Sequence, residues 1–167
     1  MASTAATLRA VLDVLKGELG EDREGGAIAD TFERFDGEPS EAVEEHVAEL
    51  RGKVGASVLV GFLSDTLDES DESGRPLSFT LRPSVVVVRR RGPKNHKDSE
   101  VRAWTLDAEA LDDLYDAAAL ALASSGLRVR LSRGLALYGD TRDWTGRALV
   151  VELDREFPPG LPRSPFA

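Results

Sequence analysis

The apolar residues of this chain fall into segments that change period in a set order: helix, strand, helix, strand, long strand, helix, strand, strand. That order restricts the fold more than any single residue does. Runs with period two and runs with period three to four cannot exchange roles, so the pattern predicts an α+β domain. Its sheet should be mostly antiparallel, with a long β-hairpin packed against two or three helices. A chain of 167 residues needs only one core, because a domain of roughly 150 residues already buries about 70% of its unfolded surface. Residues 1–157 are expected to form that domain, and 158–167 to follow it as an extended tail.

Leu8, Val11, Leu12, Leu15 and Leu19 recur every three or four positions, which predicts an amphipathic helix from Thr4 to a stop at Gly20. The segment AIADTFERF reads as a short strand. Pro39-Ser40 opens a second helix, with Ser40 as its cap and Val43, Val47, Leu50 and Val54 on one stripe. ASVLVGFL is continuously apolar and β-branched, as a strand covered on both faces would be, and is expected at the centre of the sheet. Asp65 to Gly74, with five carboxylates and little to bury, reads as a solvated loop. Pro76 to Arg91 reads as one long strand, with Pro83 requiring an edge position or a bulge because it has no N–H for the ladder. SEVRAWTL is expected to return antiparallel to it.

The third helix is expected to start at Asp107, with Leu106 and Leu111 forming a staple, and to end near Gly126. Leu111, Leu114, Tyr115, Ala118 and Leu122 form its buried stripe. Leu127, Val129 and Leu131 alternate with Arg128, Arg130 and Arg133 in a strand. After a turn at Tyr138-Gly139-Asp140, Thr145 to Phe157 makes the last strand, with Leu149, Val151 and Leu153 on one face. FPPGLPRSPFA has four prolines and cannot enter a sheet interior.

The composition removes several classes of function. There is no cysteine, so there is neither a disulfide framework nor a thiolate metal site, which fits a reducing cytoplasm. A formal charge of -9 opposes general nucleic-acid or anionic-membrane binding. The longest apolar runs, Ser57 to Leu63 and Ser84 to Val88, fall far short of the 20 or so residues that span a bilayer. Gly52, Gly55 and Gly61 belong to no phosphate-binding motif, and no cofactor motif is present.

Only two histidines could serve as bases. His46, three residues before Glu49, reads as a solvated residue on the second helix, and His96 lies in a cationic turn. The acidic run Asp65, Asp68, Glu69, Asp71, Glu72 departs from calcium-loop spacing and reads as a partner-facing loop. Asp140, Asp143 and Asp154 read as turn and edge-strand carboxylates. Trp104 and Trp144 read as core caps near strand ends or as interface anchors. Arg89, Arg90, Arg91, Lys94 and Lys97 concentrate cations in an otherwise acidic chain. They read as an exposed turn kept soluble by charge, as a dock for an acidic surface such as the acidic loop of a second copy, or as a phosphate contact.

Taken together, the N-terminal amphipathic helix, ASVLVGFL, the long hairpin, LDAEALDDLYDAAALALAS, LRVRLSRGLALYG and TGRALVVELDRE resemble the small tail terminator and tail completion proteins of tailed bacteriophages, including Mu-like and other contractile tails. The resemblance lies in segment order; the proline-rich tail and the long acidic segment depart from it. It implies a non-enzymatic virion protein, made in the host cytoplasm, that forms a ring, usually a hexamer, at the head-proximal end of the tail tube. The ring would end tube growth and join the tail to the neck. Its partners would be other copies of itself and tube, sheath or neck proteins, with no nucleic acid or membrane. The alternatives are a small cytoplasmic α+β binding or regulatory domain, or an enzyme using carboxylates and arginine.

Overall fold

The computed structural model describes residues 3–47, 54–74, 76–91, 100–137 and 144–156. The elements are α1 (Thr4–Leu19), β1 (Thr31–Phe35), α2 (Pro39–Val47), β2 (Ala56–Ser70), β3 (Pro76–Arg90), α3 (Glu100–Ala123), β4 (Val129–Leu137) and β5 (Trp144–Glu156). The five strands form one sheet in the order β1-β2-β3-β5-β4, in which only β1 and β2 run parallel. This is the expected α+β fold, but its long hairpin is formed by β2 and β3 and not by Pro76–Arg91 with SEVRAWTL. Among the described residues no helix is long and apolar enough to cross a membrane.

Helices α1 and α3 cover one face of the sheet. Leu8, Val11, Leu15 and Leu19 from α1 meet Leu111, Leu114, Ala118 and Leu122 from α3 over Val58, Val60, Val85, Val87, Leu149, Val151 and Leu153. On the other face Val43 of α2 packs with Leu59, Val86, Val88, Trp144 and Ala148. Consecutive β3 side chains point to opposite faces, so Val85 to Val88 feed both cores in turn. The burial of all four follows from β3 being the central strand, with β2 beside it.

Local chemistry sets where the elements start. The Ser3 side chain accepts from the Ala6 N–H at 3.0 Å and caps α1. Pro39 occupies the first helical position of α2, where a missing N–H costs nothing, so Ser40 lies inside that helix and is not its cap. Just before β1 and β2, the Asp30 carboxylate accepts from the N–H groups of Val54 (3.0 Å) and Gly55 (2.7 Å). Gly55 has φ of 73°, which a side chain would oppose. Val54 follows α2 and packs against the α1/α3 core, so it does not continue the α2 stripe. Leu50 lies outside the described residues.

Two strand assignments differ from expectation, and at Pro83 the bulge, one of the two expected alternatives, is found. SEVRAWTL does not return as a strand: from Glu100 it is the first part of α3, which places Asp107 and Leu106 inside the helix and Trp104 on a helix instead of at a strand end. Both edges of β3 are taken by β2 and β5, so that segment could not return beside β3. Asp65 to Ser70 is strand and not loop; β3 supplies the ladder, and the exposed carboxylates need no burial. Pro83 lies in the central strand and not at an edge, opposite Phe62, where the register shifts past Leu63. A bulge there places an irregular step of the ladder beside the residue that lacks an N–H. Helix α3 ends at Ala123, where Ser125 Oγ donates to the Leu122 carbonyl at 2.6 Å, a few residues before the stop expected near Gly126.

Val87 and Leu114 share the α1/α3 core. Leu114→Ala is expected to lower stability by about 2–5 kcal/mol, measured by urea denaturation, because the side chain is buried. A loss below about 0.5 kcal/mol would show that the site can collapse around the smaller residue or that α3 is held by other contacts.

Candidate functional site

Beyond Gly61, the last residue facing β1, strand β2 continues as one side of an arm whose other side is the first part of β3. Among the described residues, Phe62 to Ser70 therefore pair with a strand on one edge only. Thr66 lies opposite Thr80, Leu67 opposite Phe79 and Phe62 opposite Pro83. Directly opposed residues share a face, so Phe62 and Leu67 lie on the α1/α3 face together with Leu81. They are 43% and 49% exposed, beyond the reach of the helices.

The opposite face of the arm is polar. Thr80 donates to Asp68 Oδ2 at 2.6 Å, and Arg82 donates to Thr66 Oγ1 at 2.6 Å and to Glu152 Oε1 at 3.1 Å. Arg130 of β4 continues this row, 3.6 Å from Glu152 and 3.1 Å from Asp154. Pairs this exposed contribute little singly, but the row ties β2, β3, β5 and β4 together across one face.

The residues singled out in the sequence separate along this ribbon. Asp68 and Glu69 lie in the arm, and Asp71 and Glu72 at its turn, where Ser73 donates to Asp71 Oδ1 at 2.9 Å. Arg89, Arg90 and Arg91 lie at the other end of β3, roughly 45 Å away at the usual strand rise. The Arg89 Nε is buried without an acceptor. Lys94, His96, Lys97, Asp140 and Asp143 lie outside the described residues, as do the turn at 138–140 and the tail 158–167. The acidic group Asp68 to Glu72 and the arginines 89–91 therefore cannot meet within one chain.

His46 is not a solvated helix-face residue. It is 8% exposed, and its Nε2 lies 3.0 Å from Ser57 Oγ and 3.2 Å from Thr31 Oγ1, while its Nδ1 is 3.5 Å from Glu33 Oε2. The two hydroxyls also contact each other. Serine, imidazole and carboxylate in this sequence have the outline of a hydrolytic triad. Ser57 is 0% exposed, however, and its oxygen faces Thr31 and His46 inside the sheet, so no carbonyl could reach it. The cluster instead fastens α2 to β1 and β2 through buried polar groups that satisfy one another. Sequence reading misses it because Thr31, Ser57 and His46 come from three separate elements. The one available signal is a serine inside an otherwise apolar strand.

Trp144 begins β5 and is buried in the α2 core. Asp154 pairs with Arg130 on the sheet. Among the described residues no group of three or more histidines and carboxylates is arranged to hold a metal ion. In comparisons with known proteins, the chain matches no protein-family profile and no curated protein.

Ser57→Ala is expected to lower stability by about 1–3 kcal/mol, since it leaves buried His46 and Thr31 short of a partner. Intact-mass analysis after treatment with a serine-directed phosphonate should show Ser57 unlabelled in the native protein. Labelling at Ser57 would mean that the site opens to solvent and that the buried-cluster assignment is wrong.

Proposed function

We propose that this chain is a non-enzymatic virion protein, a tail terminator that forms a ring of identical copies at the head-proximal end of a phage tail and joins tail to neck. The order of elements on which the resemblance to terminator and completion proteins rests is the order found in the fold. The observation that carries the reading is the separation of charge along one ribbon, with Asp71 and Glu72 at the turn at one end and Arg89, Arg90 and Arg91 at the other.

In a cyclic ring every copy points the same way along the axis. A ribbon aligned with that axis gives the ring one acidic rim and one basic rim. A protein that must bind one component above and a different one below needs unlike rims of this kind. Acidic end meeting basic end would instead stack copies without closure, and would produce a filament. The charged ends therefore suit the tube and neck, and leave the flanks for contacts between copies.

Purified tails should contain the chain in several copies, visible as a ring at the head-proximal end by electron microscopy. A single copy per particle, or none, removes the reading. Charge reversal at Arg90 and Arg91 is expected to weaken attachment of the ring to its partner more at low salt than at high salt, since exposed ion pairs are screened over roughly 8–10 Å at physiological ionic strength. Attachment that is unchanged at every salt concentration would show that this end makes no contact.

A further inference from the structure

Among the described residues, and besides the short outer edge of β1, the sheet has two open edges of similar length on opposite flanks. One is the β2 edge of the arm, Phe62 to Ser70, which runs past the end of β1. The other is the outer edge of β4, Val129 to Leu137, the last strand of the sheet. Open edges carry rows of unpaired N–H and C=O groups and usually need protection against pairing. We propose that these two edges pair with each other between copies, the arm of one chain adding as a strand beside β4 of the next. This rests on the ring reading and names its lateral contact.

Charge selects this pairing over the others. On the face away from α1 and α3 the β2 edge carries Asp68 and Glu69, and the β4 edge carries Arg130 and Arg133, with Arg128 just before the strand. Two β2 edges would set carboxylate against carboxylate, and two β4 edges arginine against arginine, which disfavours twofold dimers. A β2 edge beside a β4 edge brings opposite signs together and is heterologous, as a closed ring requires. Among the described residues neither Glu69 nor Arg133 has an ion-pair partner of its own, so both are available to a neighbour.

Direction and facing also agree. Steps from β2 to β3, β3 to β5 and β5 to β4 are all antiparallel, so β2 and β4 run in opposite directions. A second copy in the same orientation would therefore continue the sheet as an antiparallel pair. Leu131 of β4 lies opposite Val151, on the α1/α3 face, and is 45% exposed. Phe62 and Leu67 lie on that same face of the arm, so apolar side chains would meet on one side of the joined sheet. Arg130 and Arg133 oppose Glu152 and Val150, on the other face, which the arm supplies with Thr66 and Glu69. The join would bring the exposed Leu67 and Leu131 together on the helix side of the sheet and pair charges on the wet side, leaving the arginine end of β3 to the axial partner.

The chain has no cysteine, so introduced thiols report without background. Leu67→Cys and Leu131→Cys in one chain should give a ladder of covalent oligomers on oxidation, read on a denaturing gel, because facing strands hold Cα atoms within disulfide reach. Each single variant should stay monomeric on that gel. As a check that needs no covalent bond, Glu69→Arg or Arg133→Glu alone should weaken self-association about tenfold, and the two together, diagonal neighbours when Leu67 faces Leu131, should restore it to within about threefold. The proposal is overturned by a double-cysteine chain that stays monomeric at high protein concentration while the reversals change nothing, or by single variants that crosslink as well as the pair. Rings in the particle without these effects would reject the edge pairing and keep the terminator reading. Edge-paired oligomers from a chain absent from tails would do the opposite.

Discussion

The burial of β3 on both faces is the constraint on which the rest of the structure depends. Val85, Val86, Val87 and Val88 are consecutive, and a strand cannot point consecutive side chains the same way. Two cores are therefore required, one on each side of the sheet. The α1/α3 layer supplies the larger, and the smaller rests on α2, a short helix that places Val43 over Leu59, Val86 and Val88. A helix of nine described residues has little stability of its own. The buried contacts of His46 with Ser57 and Thr31 explain how it is held in place, and the Asp30 clamp on the Val54 and Gly55 amides sets where β1 and β2 begin to pair.

The same central position limits how far the protein can be read from its sequence. Helix α1, the α3 stripe and the Leu149, Val151, Leu153 face of β5 are legible because each periodicity has a single physical solution. SEVRAWTL alternates well enough to pass for a strand, and only the occupancy of both β3 edges shows that it cannot return beside β3. The acidic half of β2 reads as loop because carboxylates rarely favour strands, but an exposed strand needs a neighbouring ladder more than it needs apolar side chains. His46 escapes the sequence pattern for a related reason. Its helix has a wet face and a dry face, and two hydroxyls from distant segments make the dry face acceptable to imidazole.

The charged segments are visible in the sequence as clusters, but their arrangement is not. Adjacency along the chain suggests that the acidic and basic runs flank one hairpin and could meet. In the fold they flank one strand, and a strand separates its ends as far as a chain of that length can. The cations that share a face with the acidic residues are Arg82 of β3 and Arg130 of β4, the latter far away in sequence, joined in the row from Arg82 through Glu152 to Arg130 and Asp154. An overall charge of -9 hides this division, since a sum keeps no record of place.

The bulge past Leu63 has a consequence for how the arm can vary. Phe62 and Leu67 are five residues apart, an odd spacing that in an unbroken strand would put them on opposite faces; the additional residue moves the alternation by half a cycle and returns them to the same side. The two-sided character of the arm is thus written in phase and not in composition. Side chains along it can be exchanged with modest effect, but loss or gain of one residue between Phe62 and Thr66 inverts everything beyond that point, bringing the carboxylates to the helix side and the leucine to the water side. Related chains should accordingly tolerate substitution in this stretch far more readily than any change in its length.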